Sequence, residues 1–159
     1  PSASLVTGSV RSTLDRFLER HPLFRIIGAD GSPYLLRYTI AKGRFGALYF
    51  HRFVRGDEDR ELHSHPWCGV SLILSGGYRE ERRSGDRVET REFRPGSLNF
   101  LRPATFHRVD LLDPERGADT LSLAGPKVAE WGFWNRETGE ETPWEEFIRR
   151  KGLRPKSES

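Results

Sequence analysis

From residue 34 onward the chain consists of short apolar stretches alternating with polar positions and separated by turn residues. Period-two alternation over so few positions is the pattern of half-buried β-strands. Strands are predicted at 34–41, 47–55, 61–64, 70–74, 77–82, 87–93, 97–101, 107–111 and 120–123. Between them stand "GADGSP", "RGDED", "SGG", "SGD", "RPGS", "DPERG" and "AGP", all turn-forming clusters. Short strands at this spacing predict a closed all-β sandwich or barrel rather than βαβ units. Ahead of them, residues 12–20 ("STLDRFLER") predict a short amphipathic helix. Leu14, Phe17 and Leu18 form its apolar face, and Ser12 with Asp15 is a weak capping pair. Near the far end, "TPWEEFIRR" predicts a helical turn or two with Thr142 as N-cap and Pro143 at the first helical position. The expected organisation is therefore a helix and lead-in over 1–30, a barrel over 31–135, and a helical turn with a frayed tail over 136–159.

Composition narrows the class. The chain has 159 residues, 31% charged and 35% hydrophobic, which predicts one domain with a modest core. No apolar run approaches the roughly 18–20 residues of a membrane span, and the first residues lack a charged-then-apolar signal pattern. A single cysteine excludes an internal disulfide framework, so a cytoplasmic setting is expected. The net charge is +3, with arginine outnumbering lysine 22 to 4. Yet "RGDEDRE", "REERRSGDRVETRE" and "EEFIRRK" mix both signs, the mark of solvated strand faces rather than a nucleic-acid surface. Neither nucleic acid nor membrane is an expected partner. Edge strands and flat outer faces instead predict a homodimer, joined in part through the N-terminal strands.

The candidate chemistry sits in "HSHPWCGVSLILSGGY", residues 63–78. Alternate residues of a strand share a face, so His63 and His65 point the same way, about 6.5–7 Å apart at Cα. Two imidazoles at that separation can converge on one ion, with the third ligand coming from another strand. His107, delivered onto a strand start by the turn in "RPATFHRV", is the best candidate.

Here the chain resembles the cupin superfamily, small double-stranded β-helix barrels that usually bind one metal. The first cupin motif runs Gly, spacer, His-x-His, three or four residues, Glu, six residues, Gly. The chain offers Gly56, His63-Ser64-His65, Pro66-Trp67-Cys68, Gly69 and Gly76. The second motif runs Gly, five residues, Pro-x-Gly, two residues, His, three residues, Asn. It is matched by Gly96, Arg102-Pro103-Ala104, His107 and Leu111. The fragments "HPW", "LSGGY", "PGS", "FHRV" and "WGFW" are also similar to small stand-alone bacterial and phage cupins. The resemblance implies a cupin barrel and a metal centre, with one departure. Gly69 stands where the family usually places its glutamate ligand, and Leu111 takes the Asn place. No substitute acid suggests itself: Asp110 has the wrong strand parity relative to His107, and Glu80 and Glu81 fall beyond the glycine turn. A three-histidine site remains, as in some cupin-fold dioxygenases.

A neutral triad leaves the full 2+ charge on the ion and favours an anionic ligand. Imidazoles suit transition metals rather than calcium or magnesium. Fe(II) is expected from the resemblance, with zinc, nickel, copper and manganese compatible with the donors. With zinc, the triad would instead lower the pKa of a bound water towards about 7. The functional expectation is an Fe(II) dioxygenase acting on a small anionic substrate. The alternatives are a non-redox metal cupin (isomerase, lyase or hydrolase) and a non-catalytic small-molecule-binding cupin.

Three more residues are candidates for the catalytic machinery. His51, between Tyr49 and Phe53 on a strand, reads either as a proton shuttle lining the pocket or as a structural histidine. Arg37 and Arg52 sit mid-strand among apolar neighbours, where a cation needs a partner. Each reads either as a clamp for a substrate carboxylate or as half of an internal ion pair. Arg102, next to the second-motif turn, is a further candidate for such a clamp. Ser71 is expected to face inward as a small filler and Cys68 to be buried. Trp67, Trp131, Phe133, Trp134 and Trp144 are expected as core or barrel-mouth plugs.

Overall fold

In the computed structural model, residues 13–27, 32–56 and 61–150 are described. A short helix, α1 (residues 13–18), is followed by β1 (Leu23–Ile27), β2 (Pro33–Gly43), β3 (Gly46–Phe53) and β4 (Leu62–His63). Then come β5 (Gly69–Ser75), β6 (Tyr78–Ser84), β7 (Arg87–Phe93) and β8 (Leu98–Leu101). The chain continues through β9 (His107–Leu111), β10 (Ala118–Ala124), β11 (Gly132–Trp134) and β12 (Glu141–Pro143) to a helix, α2 (Trp144–Arg150). The strands form two six-stranded antiparallel sheets, ordered β1-β2-β3-β10-β5-β8 and β12-β11-β4-β9-β6-β7. Two facing antiparallel sheets with short connections make the cupin barrel that the sequence predicts.

All nine predicted strands are present, with shifted ends at most of them. Among the described residues, three further strands go beyond the sequence expectation. β1 adds an edge to the first sheet, while β11 and β12 are three residues each, too short to show a period. Strands β1 and β12 also lie outside the 31–135 range expected for the barrel. Thr142 is not the helix cap expected of it: it pairs with Phe133 in the β11–β12 ladder, and the helix begins at Trp144. That helix is pinned by stacking of Trp144 on Trp131, 5.6 Å apart, and of Phe147 on Phe133, 3.8 Å apart. The expected cap Ser12 and the tail from 151 lie outside the described residues.

The barrel interior has two unlike halves. One end is apolar: Ile73, Tyr78, Val109, Leu111 and Ala118 pack together, with Phe53 and Phe93 against them. Tight approach at that end demands a glycine. Gly76 has φ +69°, and a Cβ there would lie 1.9 Å from the Gly117 carbonyl oxygen. Along the same strands, the inward positions towards the other end turn polar. Residues 109 and 111 of β9 give way to His107, Ile73 of β5 to Ser71, and Ala118 of β10 to Thr120 and Ser122. The polar half is where chemistry can be housed.

Candidate metal centre

Each histidine arrives from a different local device. His107 opens β9 after the Pro-Ala-Thr turn and pairs directly with His63 on the short strand β4. β4 is held on its other side by β11, with His63 opposite Phe133. His65 lies just past β4, where reciprocal bonds between Ser64 and Gly132 fix the backbone: Ser64 N–H to the Gly132 carbonyl, Gly132 N–H to Ser64 Oγ. The result is a convergent triad, in which one ring nitrogen from each imidazole lies within 4.8 Å of the others. His65 Nε2 and His107 Nε2 are 2.9 Å apart. Two nitrogens bound to one ion at about 2.1 Å and a right angle would be separated by about 3 Å, so the spacing fits a shared ion. Burial and the neighbouring His107 and His63 rings hold the pKa of His65 well below the usual range, which keeps its lone pair free for a metal.

The acid missing from the motif is one bond further out. Glu80 is wholly buried (0% exposed), and its Oε1 accepts a 2.6 Å hydrogen bond from His107 Nδ1. This fixes the His107 tautomer with Nε2 as the free acceptor, the arrangement in which a carboxylate orients and strengthens a metal-binding imidazole. Glu80 is itself fully engaged. Arg82 donates to Oε2 from Nη2 (2.7 Å) and Nε (3.1 Å), and Asn99 Nδ2 donates to Oε1 at 3.1 Å. Arg82 also donates to Asn99 Oδ1 at 2.8 Å. Burial alone would raise the Glu80 pKa. The His107 bond, with Arg82 and Asn99, outweighs it and holds the carboxyl below its ordinary value. Sequence reasoning set Glu80 aside for lying beyond the glycine turn. That turn returns β6 alongside β9, where His107 stands opposite Arg82 and diagonal to Glu80, so strand parity brings both to it. The readable signal was the Tyr78, Glu80, Arg82 alternation, which needs β9 as a partner to acquire meaning.

The vacancy at position 69 has a physical occupant. A Cβ on Gly69 would lie 2.7 Å from Trp67 Cζ3, and the Trp67 indole stacks on His65 with centroids 4.4 Å apart. The indole takes the room that a side chain at 69 would need, and it covers one face of the His65 ring.

His51 lies on β3 of the other sheet, buried and bonded at both nitrogens. Arg37, directly opposite on β2, donates from Nε to His51 Nε2 at 3.1 Å. His51 Nδ1 therefore carries the proton and faces Ser122 Oγ at 3.2 Å, and Ser122 meets Ser71 at 2.7 Å and Thr120 at 3.2 Å. Burial, and then the Arg37 charge, push the His51 pKa down to about 3. Arg37 is held by His51 and lies over the Tyr49 ring, 4.9 Å from its centroid. Arg52 faces the opposite side of β3. It donates to Asp119 from Nε (2.9 Å) and Nη2 (3.3 Å), and to Asp15 of α1 at 2.9 Å, so the ion-pair reading holds for it. Arg102 is exposed. Ser71 faces inward as expected, whereas Cys68 is exposed rather than buried. His21 donates to the Phe17 carbonyl at the end of α1, remote in role from the triad.

No family model matches the chain, and no curated protein does. Among solved structures, the hydroxypropylphosphonic acid epoxidase from S. wedmorenis aligns with a TM-score of 0.55 at 9% identity, over 67% of this chain and 56% of that one. A structure described as Fe(II)-HppE with alternative substrate (S)-1-HPP aligns at 0.57 and 10% identity, over 67% and 57%. A variant of oxalate decarboxylase from Bacillus subtilis aligns at 0.52 and 17% identity, over 86% of this chain and 36% of that one. This chain thus spans little more than half the length of the epoxidase it resembles. At such identities the likeness is one of fold, and it agrees with the cupin-type β-barrel described above.

Proposed function

We propose that this protein is a mononuclear metal enzyme that holds Fe(II) through His63, His65 and His107 and oxidises a small anionic substrate with dioxygen. The observation that carries the reading is the convergence of three imidazole nitrogens within 4.8 Å, with His107 oriented by Glu80. A bound ferrous ion would supply redox capacity and open coordination positions beside three neutral ligands. The chain's own residues do the rest. Trp67 covers one flank of His65 and excludes water there. Arg37, whose charge is felt at both His51 and His65, adds positive potential on the barrel's polar side and favours an anion. His51, neutral and bonded at both nitrogens, positions Arg37 rather than shuttling protons. The structural likeness to an Fe(II)-HppE supports iron among the metals the donors accept.

Anaerobic titration of metal-free protein with ferrous iron should load a single equivalent. Nitric oxide, a dioxygen surrogate, should then give the paramagnetic signal of a high-spin iron nitrosyl. Iron that binds but takes up no nitric oxide would overturn the dioxygenase reading and leave the metal site standing. Failure of iron, zinc, nickel, copper and manganese alike to bind would overturn both.

A further inference from the structure

On the first sheet the polarity of three adjacent strands is inverted: β5, β8 and β10 turn Ser71, Asn99, Thr120 and Ser122 inward and their large apolar residues outward. A polar wall of this kind is costly to bury unless its donors find acceptors, and that requirement fixes the direction of each hydrogen bond along it. The Arg37 guanidinium can only donate, so His51 Nε2 accepts from it and His51 Nδ1 carries the proton. That N–H donates to Ser122 Oγ at 3.2 Å. Ser122 Oγ in turn lies 3.2 Å from Thr120 Oγ1 and 2.7 Å from Ser71 Oγ. Three hydroxyl protons therefore share two hydroxyl contacts, and one proton is left over.

Burial decides which one. Thr120 is 1% exposed, and Ser122 is its one side-chain hydrogen-bond partner among the described residues, so a Thr120 O–H turned elsewhere would be buried unmet. Thr120 therefore donates to Ser122, whose oxygen now accepts from both His51 and Thr120. Ser122 passes its own proton on through the shorter contact, to Ser71. The surplus falls on Ser71, which is half-buried and whose O–H has no protein acceptor among the described residues. Ser71 also stands opposite the triad. Its register neighbour on β8 is Asn99, whose amide crosses the barrel to Glu80 behind His107. Its neighbour on β10 is Ser122, beside His51, and the Arg37 charge behind them is felt at His65.

We propose that Ser71 is a specificity-determining residue of the metal site: its free O–H donates to an oxyanion of the substrate, which is an organic acid ending in a carboxylate, rather than an amine, on the side away from the metal. The inference rests on the metal-site reading above and adds the group recognised opposite the ion. A carboxylate is acceptor-only and completes a relay that runs from Arg37 through His51 and Ser122 as donors throughout. An ammonium has no lone pair to accept the Ser71 proton, would leave that O–H unmet, and would stand near the like charge of Arg37.

The test uses zinc-loaded protein titrated by calorimetry with malonate, succinate and glutarate, and with the amino counterparts β-alanine, γ-aminobutyrate and δ-aminovalerate, at one ionic strength and with zinc retention checked. One dicarboxylate should bind more tightly than its amino counterpart. Ser71→Ala should weaken that dicarboxylate by about ten- to a hundredfold and its counterpart far less, and Ser71→Thr, which keeps the hydroxyl, should restore the preference. Circular dichroism checks that each variant is folded. Equal losses for both ligands in Ser71→Ala would make Ser71 a filler of space and overturn the proposal. So would a wild type that does not prefer any dicarboxylate, or a loss in Thr120→Val with none in Ser71→Ala, which would give the free proton to Thr120. Zinc is redox-silent, so these outcomes stand apart from the iron nitrosyl result: absence of that signal with the Ser71 preference intact would overturn the dioxygenase reading alone.

Discussion

At position 69, one missing side chain and one indole explain each other. The family pattern suggests that Gly69→Glu would add a fourth ligand, but its Cβ would sit 2.7 Å from Trp67. The substitution alone should therefore displace the indole from its stack on His65, seen as a change in tryptophan fluorescence, without tightening metal binding. Paired with Trp67→Ala, the same glutamate should tighten it. Equal tightening with and without the indole would show that Trp67 is not in the way. Glu80 supports the opposite substitution. Glu80→Gln keeps the shape but removes the charge that strengthens His107, and should weaken metal binding by about 10–100-fold in titrations. Removing a ligand should cost more: His63→Ala, His65→Ala and His107→Ala should each weaken binding by well over about tenfold. His51→Ala and His21→Ala should leave occupancy nearly intact, since neither belongs to the triad. Full metal binding in His107→Ala would break the triad.

At the scale of elements, β4 is the weak link. It has two residues, and its single ladder partner on β9 is His107 opposite His63, so two ligands of the candidate ion are also the pair that joins the strand to β9. Metal binding should slow amide exchange at residues 62–65 more than in the apolar end of the barrel, measured with and without zinc as a redox-silent probe. Equal protection throughout would mean that β4 is already fixed without metal. This coupling was only half legible in the sequence. The histidines were found because His-x-His has its own local meaning, and the long alternating strands because period two is local too. Glu80 and Asn99 were missed because their roles exist only between strands distant in sequence: Glu80 across the β6–β9 pair, and Asn99 from β8 of one sheet to β6 of the other. Inversion hid the rest. In "TLSL" and "LNF" the eye sends leucine and phenylalanine to the core, yet the barrel takes Thr120, Ser122 and Asn99 instead. The parity was readable, but not its sign, since the sign depends on which face meets the other sheet. β11 and β12 were too short to carry a period, and their anchors, Trp131 on Trp144 and Phe133 on Phe147, join residues far apart in sequence.

For the whole molecule, a polar half-core makes stability depend on pH. His51 is held neutral in the folded protein, with a pKa of about 3 against an ordinary 6.5. Below 6.5 the unfolded chain takes up a proton that the folded chain refuses, so folding stability is full above pH 6.5 and falls as the pH drops towards 3. The slope from this one group approaches about 1.4 kcal/mol per pH unit. His65, also held well below its usual range, adds to the same loss in metal-free protein. Glu80 acts in a lower window: its depressed pKa stabilises the fold above the ordinary carboxyl range and is lost only as the solution acidifies beyond it. Metal reinforces the trend, because protons compete with it for the imidazoles. At a free metal concentration near 100 times Kd, binding should add about 2.7 kcal/mol, and that increment should shrink steeply between pH 7.5 and 5.5. Urea unfolding at each pH, with chelator and with zinc, separates the two effects. The chelated protein should lose stability from about pH 6.5 downward, and His51→Gln, which can still bond Arg37 and Ser122, should flatten part of that slope. A chelated wild type equally stable at pH 7.5 and 5 would mean that the buried histidines are not held neutral. The polar half of the barrel would then be open to water rather than sealed around its site.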